Sequence, residues 1–166
     1  MKNILKLMNG MKKEGLIKDY ALFGAMAVAM YDEAISTMDF DMVVAMEQDG
    51  FVNMAPIYQY IVNAGYRMEG LHFIIGDVPL DIVVIKNDPN DILYDALKHA
   101  QSIKTDIGTA KVFTPDYLAA IALSVGRKKD YRKVDLLLNS ITSDFSRILK
   151  KYGLTKKWND YKKGKL

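Results

Sequence analysis

Near the start of the chain the apolar residues Ile4, Leu5, Leu7, Met8 and Met11 recur at the spacing of one helix face. They predict an amphipathic helix over 3–14, stopped by Gly15. The short apolar run YALFG (20–24) ends in glycine and reads as a strand. AMAVAMYDE, directly after it, consists largely of helix formers. MDFDMVVAM (38–46) is short and rich in strand-forming residues, and the polar turn EQDG follows it. NMAPIYQYIVNAG (53–65) returns to helical spacing, with Asn53 as a cap and Gly65 as a stop. LHFIIG (71–76), the turn DVP and LDIVVIK (80–86) predict a hairpin. NDILYDALKHAQ (90–101) reads as a helix and TAKVFT (109–114) as a last strand. Thr114 then caps a helix with Pro115 at its first position, where proline's missing N–H costs nothing. Everything beyond reads as helix, broken near Gly126, Ser140 and Gly153.

This order predicts an α/β (α+β) fold: a mixed β-sheet with packed helices over 1–113, then a C-terminal helical lobe over 114–166, packed together as one compact unit. The strands are too few, and the hairpin too clear, for a doubly wound parallel sheet. At 166 residues, half of them hydrophobic, the chain can build a proper core. A net charge of +3 does not by itself imply nucleic-acid binding, although lysines gather beyond Arg127. The absence of cysteine excludes disulfides, thiolate zinc sites and cysteine nucleophiles, and it fits a reducing cytoplasm. His72 and His99 stand without a second histidine at ligand spacing. The most apolar segment, ALFGAMAVAMY, is far short of a membrane span, so a cytoplasmic protein is expected.

Against that background the stretch ISTMDFDMVV (35–44) is anomalous, because aspartate is disfavoured in strands and a buried carboxylate without a partner is costly. Residues two apart on a strand share a face, so Asp39 and Asp41 project together while Met38, Phe40 and Met42 point the other way. A divalent cation would compensate such a pair, and oxygen ligands suit Mg²⁺ or Mn²⁺. Asp81 lies in a similar setting, and three carboxylates converge if its strand runs beside 38–46. Upstream, Gly24 stands where strand turns into helix, a place where backbone amides can approach a phosphate. A strand–glycine–helix cradle, a D-x-D strand and a third strand aspartate suit phosphoryl or nucleotidyl transfer. The competing reading is an exposed strand end bearing solvated acids, with Gly24 no more than a tight turn.

The stretch ALFGAMAVAMYDEAISTMDFDMVV resembles the nucleotidyltransferase superfamily that includes DNA polymerase beta, and more closely the AbiEii-type and related uncharacterised prokaryotic proteins. VFTPDYLAAIALSVGRKKDYRKVDLLL is similar to that group's C-terminal motif, and the resemblance covers roughly 18–160. It implies that Asp39 and Asp41 bind metal, that Asp81 is the third carboxylate and helps deprotonate the attacking hydroxyl, and that Gly24 and the neighbouring Ala25 contact phosphate. It also implies nucleotide-binding roles for Thr37, which precedes the pair, and for Arg127, Lys129 and Asp130 of the R-x-K-D motif, on a helical lobe facing the cleft. A nucleoside triphosphate and a hydroxyl acceptor (RNA, protein or small molecule) are the implied partners, with Mg²⁺ or Mn²⁺ as cofactor.

Three positions depart from the family pattern: Ala25 replaces a second glycine or serine, Ile35 replaces arginine, and Ala122 stands where a lysine is usual. They motivate the alternative of a module that no longer catalyses and binds a nucleotide or a protein partner, as in toxin–antitoxin or phage-defence pairs. A third reading, RNA binding through the lysine-rich end, has only the tail KKWNDYKKGKL behind it. For that tail, Trp158 anchoring a solubilising terminus to the core is the plainer account.

Overall fold

The computed structural model describes residues 1–32, 37–46, 53–105 and 108–165. The chain forms α1 (Lys2–Lys13), β1 (Ile17–Phe23), α2 (Gly24–Ala29), β2 (Phe40–Met46), α3 (Ala55–Asn63), β3 (Arg67–Glu69), β4 (His72–Ile75) and β5 (Val78–Ile85). It continues with α4 (Ile92–His99), β6 (Gln101–Thr105), β7 (Gly108–Val112), α5 (Pro115–Val125), α6 (Lys128–Leu137), α7 (Asp144–Lys151) and α8 (Thr155–Lys162). The strands make one mixed sheet in the order β3-β4-β5-β2-β1-β7-β6, as expected of the mixed α/β architecture. None of the described helices is long and apolar enough to cross a membrane.

The centre of the sheet is where the sequence is most apolar. β2 runs antiparallel to β1 on one side and parallel to β5 on the other, and its Met42, Val43, Val44 and Ala45 are all buried. A strand flanked on both sides and covered on both faces needs a continuous apolar run, and that is how VVA reads. Alternation then sorts the neighbours. The Tyr20 hydroxyl donates to Asn9 Oδ1 of α1 at 2.6 Å, whereas the Phe23 ring meets Phe113 at 6.0 Å between centroids. Three residues apart on a strand, these side chains point to opposite faces. One face is covered by α1, which also packs on α3, and the other carries Phe113 and the base of α5.

The hairpin forms, but its turn differs from the expected DVP. Ile75 pairs with Val78, so the loop is Gly76-Asp77, and both have positive φ (55° and 67°). That is the type I′ arrangement whose twist matches the strands it joins. Pro79 therefore lies inside β5, opposite Ile74. β6 and β3 are two further strands. QSIKT pairs only with β7, and RME, exposed throughout, pairs only with β4. Both are edge strands, whose polar sequences carry no period-2 apolar signal. α2 stops at Ala29, and the Tyr31 hydroxyl just beyond donates to the Phe113 carbonyl at 3.0 Å. Thr114 occupies the N-cap of α5 before Pro115, but its side chain makes no capping bond.

The helices after Pro115 break where expected, and α5 is almost wholly buried from Pro115 to Leu123. It packs against α2, α4, α6, α7 and α8. Asp116 at its start is buried and accepts from the Thr142 N–H at 2.8 Å, so a carboxylate ties α5 to the N-terminal side of α7. The last helix is fastened by rings: Trp158 meets Phe145 edge-on at 5.1 Å and stacks on Tyr161 at 5.3 Å.

Candidate functional site

Register places the carboxylates. In the parallel β2–β5 ladder Asp41 pairs with Asp81, and in the antiparallel β1–β2 ladder Asp41 pairs with Phe23, the residue before Gly24. Directly paired residues share a face, so Asp41 and Asp81 lie side by side on the face that carries Phe113 and α5. Gly24, Asp41 and Asp81 thus form a row across β1, β2 and β5. Asp39 precedes β2, is exposed, and its N–H donates to Thr37 Oγ1 at 3.3 Å.

Gly24 has φ +70°, a conformation glycine adopts freely, and its absent side chain matters as much as its backbone. A Cβ built there would lie 2.7 Å from Asp41 Cγ, with Oδ2 closer still. Because nothing stands in the way, the Ala25 N–H reaches the Asp41 carboxylate and donates to it. Burial pushes the Asp41 carboxyl above its ordinary value, and the charges of Asp81 and Asp39 push it further. Lys133 and the Ala25 amide pull the other way without cancelling this. Burial and neighbouring like charge thus disfavour the ionised form of Asp41, and a cation placed beside it would offset both.

The same row contains a residue with no assigned role in the sequence reading. His72 Nδ1 makes a short contact with Asp81 Oδ1 from the neighbouring strand β4. Its signal was the turn: a Gly-Asp I′ loop at 76–77 sets residue 72 opposite 81. Among the described residues no three His, Cys, Asp or Glu groups are placed to close around an ion. The hard oxygen donors and the raised Asp41 fit Mg²⁺ or Mn²⁺ in kind, with Asp41 and Asp81 as the pair that would hold it and Asp39 alongside.

The R-x-K-D stretch divides. Arg127 is the N-cap of α6, and Asp130, 2% exposed, sits at its third position. Arg127 Nε donates to Asp130 Oδ2 at 2.7 Å and Nη2 to Oδ1 at 3.2 Å, while Asp130 Oδ2 accepts from the Arg127 N–H at 3.2 Å. Burial works to raise the Asp130 carboxyl, but Arg127 and Lys133 outweigh it and hold it below its ordinary value. Arg127, Asp130 and Lys133 line a small cavity of about 90 Å³ with Gly24 and Ala122. Lys129 lies elsewhere, lining a separate depression with Lys128, Tyr131, Arg132 and Asp135. Lys133, one turn on from Lys129, is the lysine of α6 that stands beside Gly24 and senses Asp41. Ala122, on α5, faces the same small cavity. Ile35 lies outside the described residues.

A larger cavity of about 420 Å³ opens on the other side of the carboxylates. Among the described residues it is lined by Asp41, Asp81, Met54, Tyr58, Met68, Leu71, Phe73, Ile82 and Val83.

No family model and no curated protein matches the chain. Solved structures do. The crystal structure of ANT(2″)-Ia in complex with adenylyl-2″-tobramycin superposes with TM-score 0.57 at 13% identity, covering 95% of this chain and 98% of that one. The solution structure of the same antibiotic-resistance factor gives 0.56 at 12% identity, over 98% and 95%. An antigenic nucleotidyltransferase-like protein from Paracoccidioides brasiliensis gives 0.57 at 17% identity, over 98% and 90%. At these identities the likeness is one of fold, and the fold is the nucleotidyltransferase one, matched over nearly the whole length of both partners.

Proposed function

We propose that this chain is a nucleotidyltransferase, moving a nucleoside monophosphate from a nucleoside triphosphate to a hydroxyl acceptor. The observation that carries the reading is the row of Gly24, Asp41 and Asp81, with the Asp41 carboxylate set against a glycine that no side chain could replace without collision. Mg²⁺ or Mn²⁺, when bound at Asp41 and Asp81 with Asp39 alongside, would neutralise the triphosphate and the charge on the attacking and leaving oxygens.

The protein's own groups would then divide the work. The open backbone at Gly24 gives phosphate oxygens room to approach the start of α2, while Lys133 and the Asp130-braced Arg127 line that side with positive charge. Lys133 supplies from α6 the cation that α5 lacks at Ala122. The acceptor oxygen forms a bond to the α-phosphorus, the α–β bridging bond breaks, and pyrophosphate leaves with the bonding electrons. The hydroxyl proton passes to Asp81, whose alignment is set by His72. The closer kinship with AbiEii-type proteins is part of this proposal and rests on the two sequence stretches quoted above.

A second reading has its own observation: Ala25 and Ala122 remove a hydroxyl and a cation from the nucleotide side, and Arg127 already serves Asp130. A non-catalytic module that binds a nucleotide or a partner protein would look this way. One experiment separates the two. The four labelled nucleoside triphosphates are titrated, with and without Mg²⁺, against the wild type and Asp39→Asn/Asp41→Asn. Binding that needs Mg²⁺ and is lost in the variant supports the site, and release of pyrophosphate supports transfer. Binding without any turnover supports the module, and the absence of binding in every condition refutes both nucleotide readings.

A further inference from the structure

The 420 Å³ cavity beside the carboxylates has a composition that selects what can enter it. It lies within the range of about 300–1,000 Å³ typical of small-molecule sites. Among the described lining residues the charged groups are Asp41 and Asp81, and the remainder is methionine, aliphatic or aromatic. The same residues account for much of the apolar surface that the fold leaves uncovered: Leu71 is 87% exposed, Tyr58 44%, Met68 38% and Val83 37%. Exposed large apolar side chains gathered around one concavity mark a binding surface rather than scatter. Methionine pairs such as Met54 and Met68 adapt to irregular apolar bodies.

Position assigns the cavity a role. The transfer reading puts phosphate on the Gly24 side of the row and the attacking hydroxyl at Asp81, which lines this cavity. Resting on the transfer reading above, we infer that the acceptor is a small uncharged alcohol, its hydroxyl at Asp81 and its aromatic or aliphatic body against Met54, Tyr58, Met68 and Leu71. A polycationic acceptor is selected against. With Asp41 and Asp81 given over to a divalent cation in that reading, each ammonium entering this wall would lose hydration and meet no further carboxylate among the described lining residues.

The test uses protein carrying ¹³C-methyl methionine, with the Met54 and Met68 signals assigned through Met54→Leu and Met68→Leu. With Mg²⁺ present throughout, phenyl β-D-glucoside, methyl β-D-glucoside and tobramycin serve as probes: sugar hydroxyls with an aromatic body, without one, and with several ammonium groups. The expected result is saturable movement of both methyl signals with the phenyl glucoside, binding at least roughly tenfold weaker for the methyl glucoside, and no movement with tobramycin. Leu71→Asp, at an exposed hairpin position, should weaken the phenyl glucoside by about tenfold, its unliganded spectrum reporting that the fold is intact. Equal response to all three probes, or methyl signals that stay still with the phenyl glucoside, overturns the inference. Nucleotide titration of the same sample keeps the two claims apart. Moving methyls without nucleotide binding refute transfer but not the cavity's apolar preference, and nucleotide binding with still methyls refutes the preference but not transfer.

Discussion

Gly24→Ala is the sharpest test of how the site is assembled, because it adds one methyl group at the point where β1, α2 and Asp41 meet. Two costs are separable. The backbone stays at φ +70°, which an L-residue with a side chain adopts at a penalty of roughly 1 kcal/mol. The new Cβ also falls 2.7 Å from Asp41 Cγ and 3.0 Å from its Cβ, so the carboxylate or the strand must move. Forcing a methyl into a packed position typically costs roughly 1–3 kcal/mol. The expected total is roughly 2–4 kcal/mol, a fall in Tm of about 4–15 °C for a chain of this size. Urea unfolding of the wild type, both single variants and Gly24→Ala/Asp41→Ala measures it as a cycle. Removing the Asp41 carboxylate takes away Cγ and both oxygens, so the Gly24→Ala penalty should drop by roughly 1–2 kcal/mol in that background, leaving mainly the backbone cost. An identical penalty in both backgrounds would show that the two residues are not in contact, and the proposed cradle would fall with that result.

Two further predictions follow from the charges. The folded protein binds the Asp41 proton more tightly than the unfolded chain does, so this group's contribution to stability is fully present below the ordinary carboxyl value of about 3.9 and lost as pH rises through the elevated native value. Asp41→Asn should therefore raise Tm at neutral pH, with the advantage shrinking towards pH 4; thermal melts across that range check it, and a loss of Tm at pH 7 contradicts it. Asp95 is the opposite case. It accepts from Lys151 Nζ at 2.8 Å, Tyr152 Oη at 2.8 Å and Tyr117 Oη at 2.9 Å. Burial works to raise its carboxyl, but these donors hold it below its ordinary value, so its stabilisation is present above about pH 4 and lost as pH falls through the lowered value. Asp95→Asn should cost roughly 2–3 kcal/mol at pH 7 and little in acid, read by urea unfolding at both pH values.

The parts of this molecule that sequence reveals are those in which one residue carries its own signal. Two aspartates inside an apolar run are such a signal, as are a glycine at a strand–helix junction and a proline at a helix start. Pairing is different, because it depends on which strand lies next to which. That Asp41 meets Asp81 required β5 to run beside β2, and the apolar patterns of the two strands are compatible with other neighbours. Helix phase could not separate Lys129 from Lys133, which lie one turn apart on the same side of α6; that Lys133 is the one beside Gly24 depends on where α6 packs against α2, which no local pattern carries. β6 was invisible because an edge strand with one partner needs no apolar alternation. His99 looked isolated in sequence, yet its ring stacks on Tyr117 and its Nδ1 lies 3.4 Å from Asp95 Oδ1.

The loop at Gly76-Asp77 acts as a ruler. β5 is held in place by its long ladder to β2, so the two-residue loop sets how β4 aligns against it. One inserted residue would slide β4 by a step and turn the imidazole of His72 to the far side of the sheet, with both side chains chemically intact. Loop length is thus a dial, remote from the reacting atoms, on whether the third carboxylate works with a histidine at its side or alone.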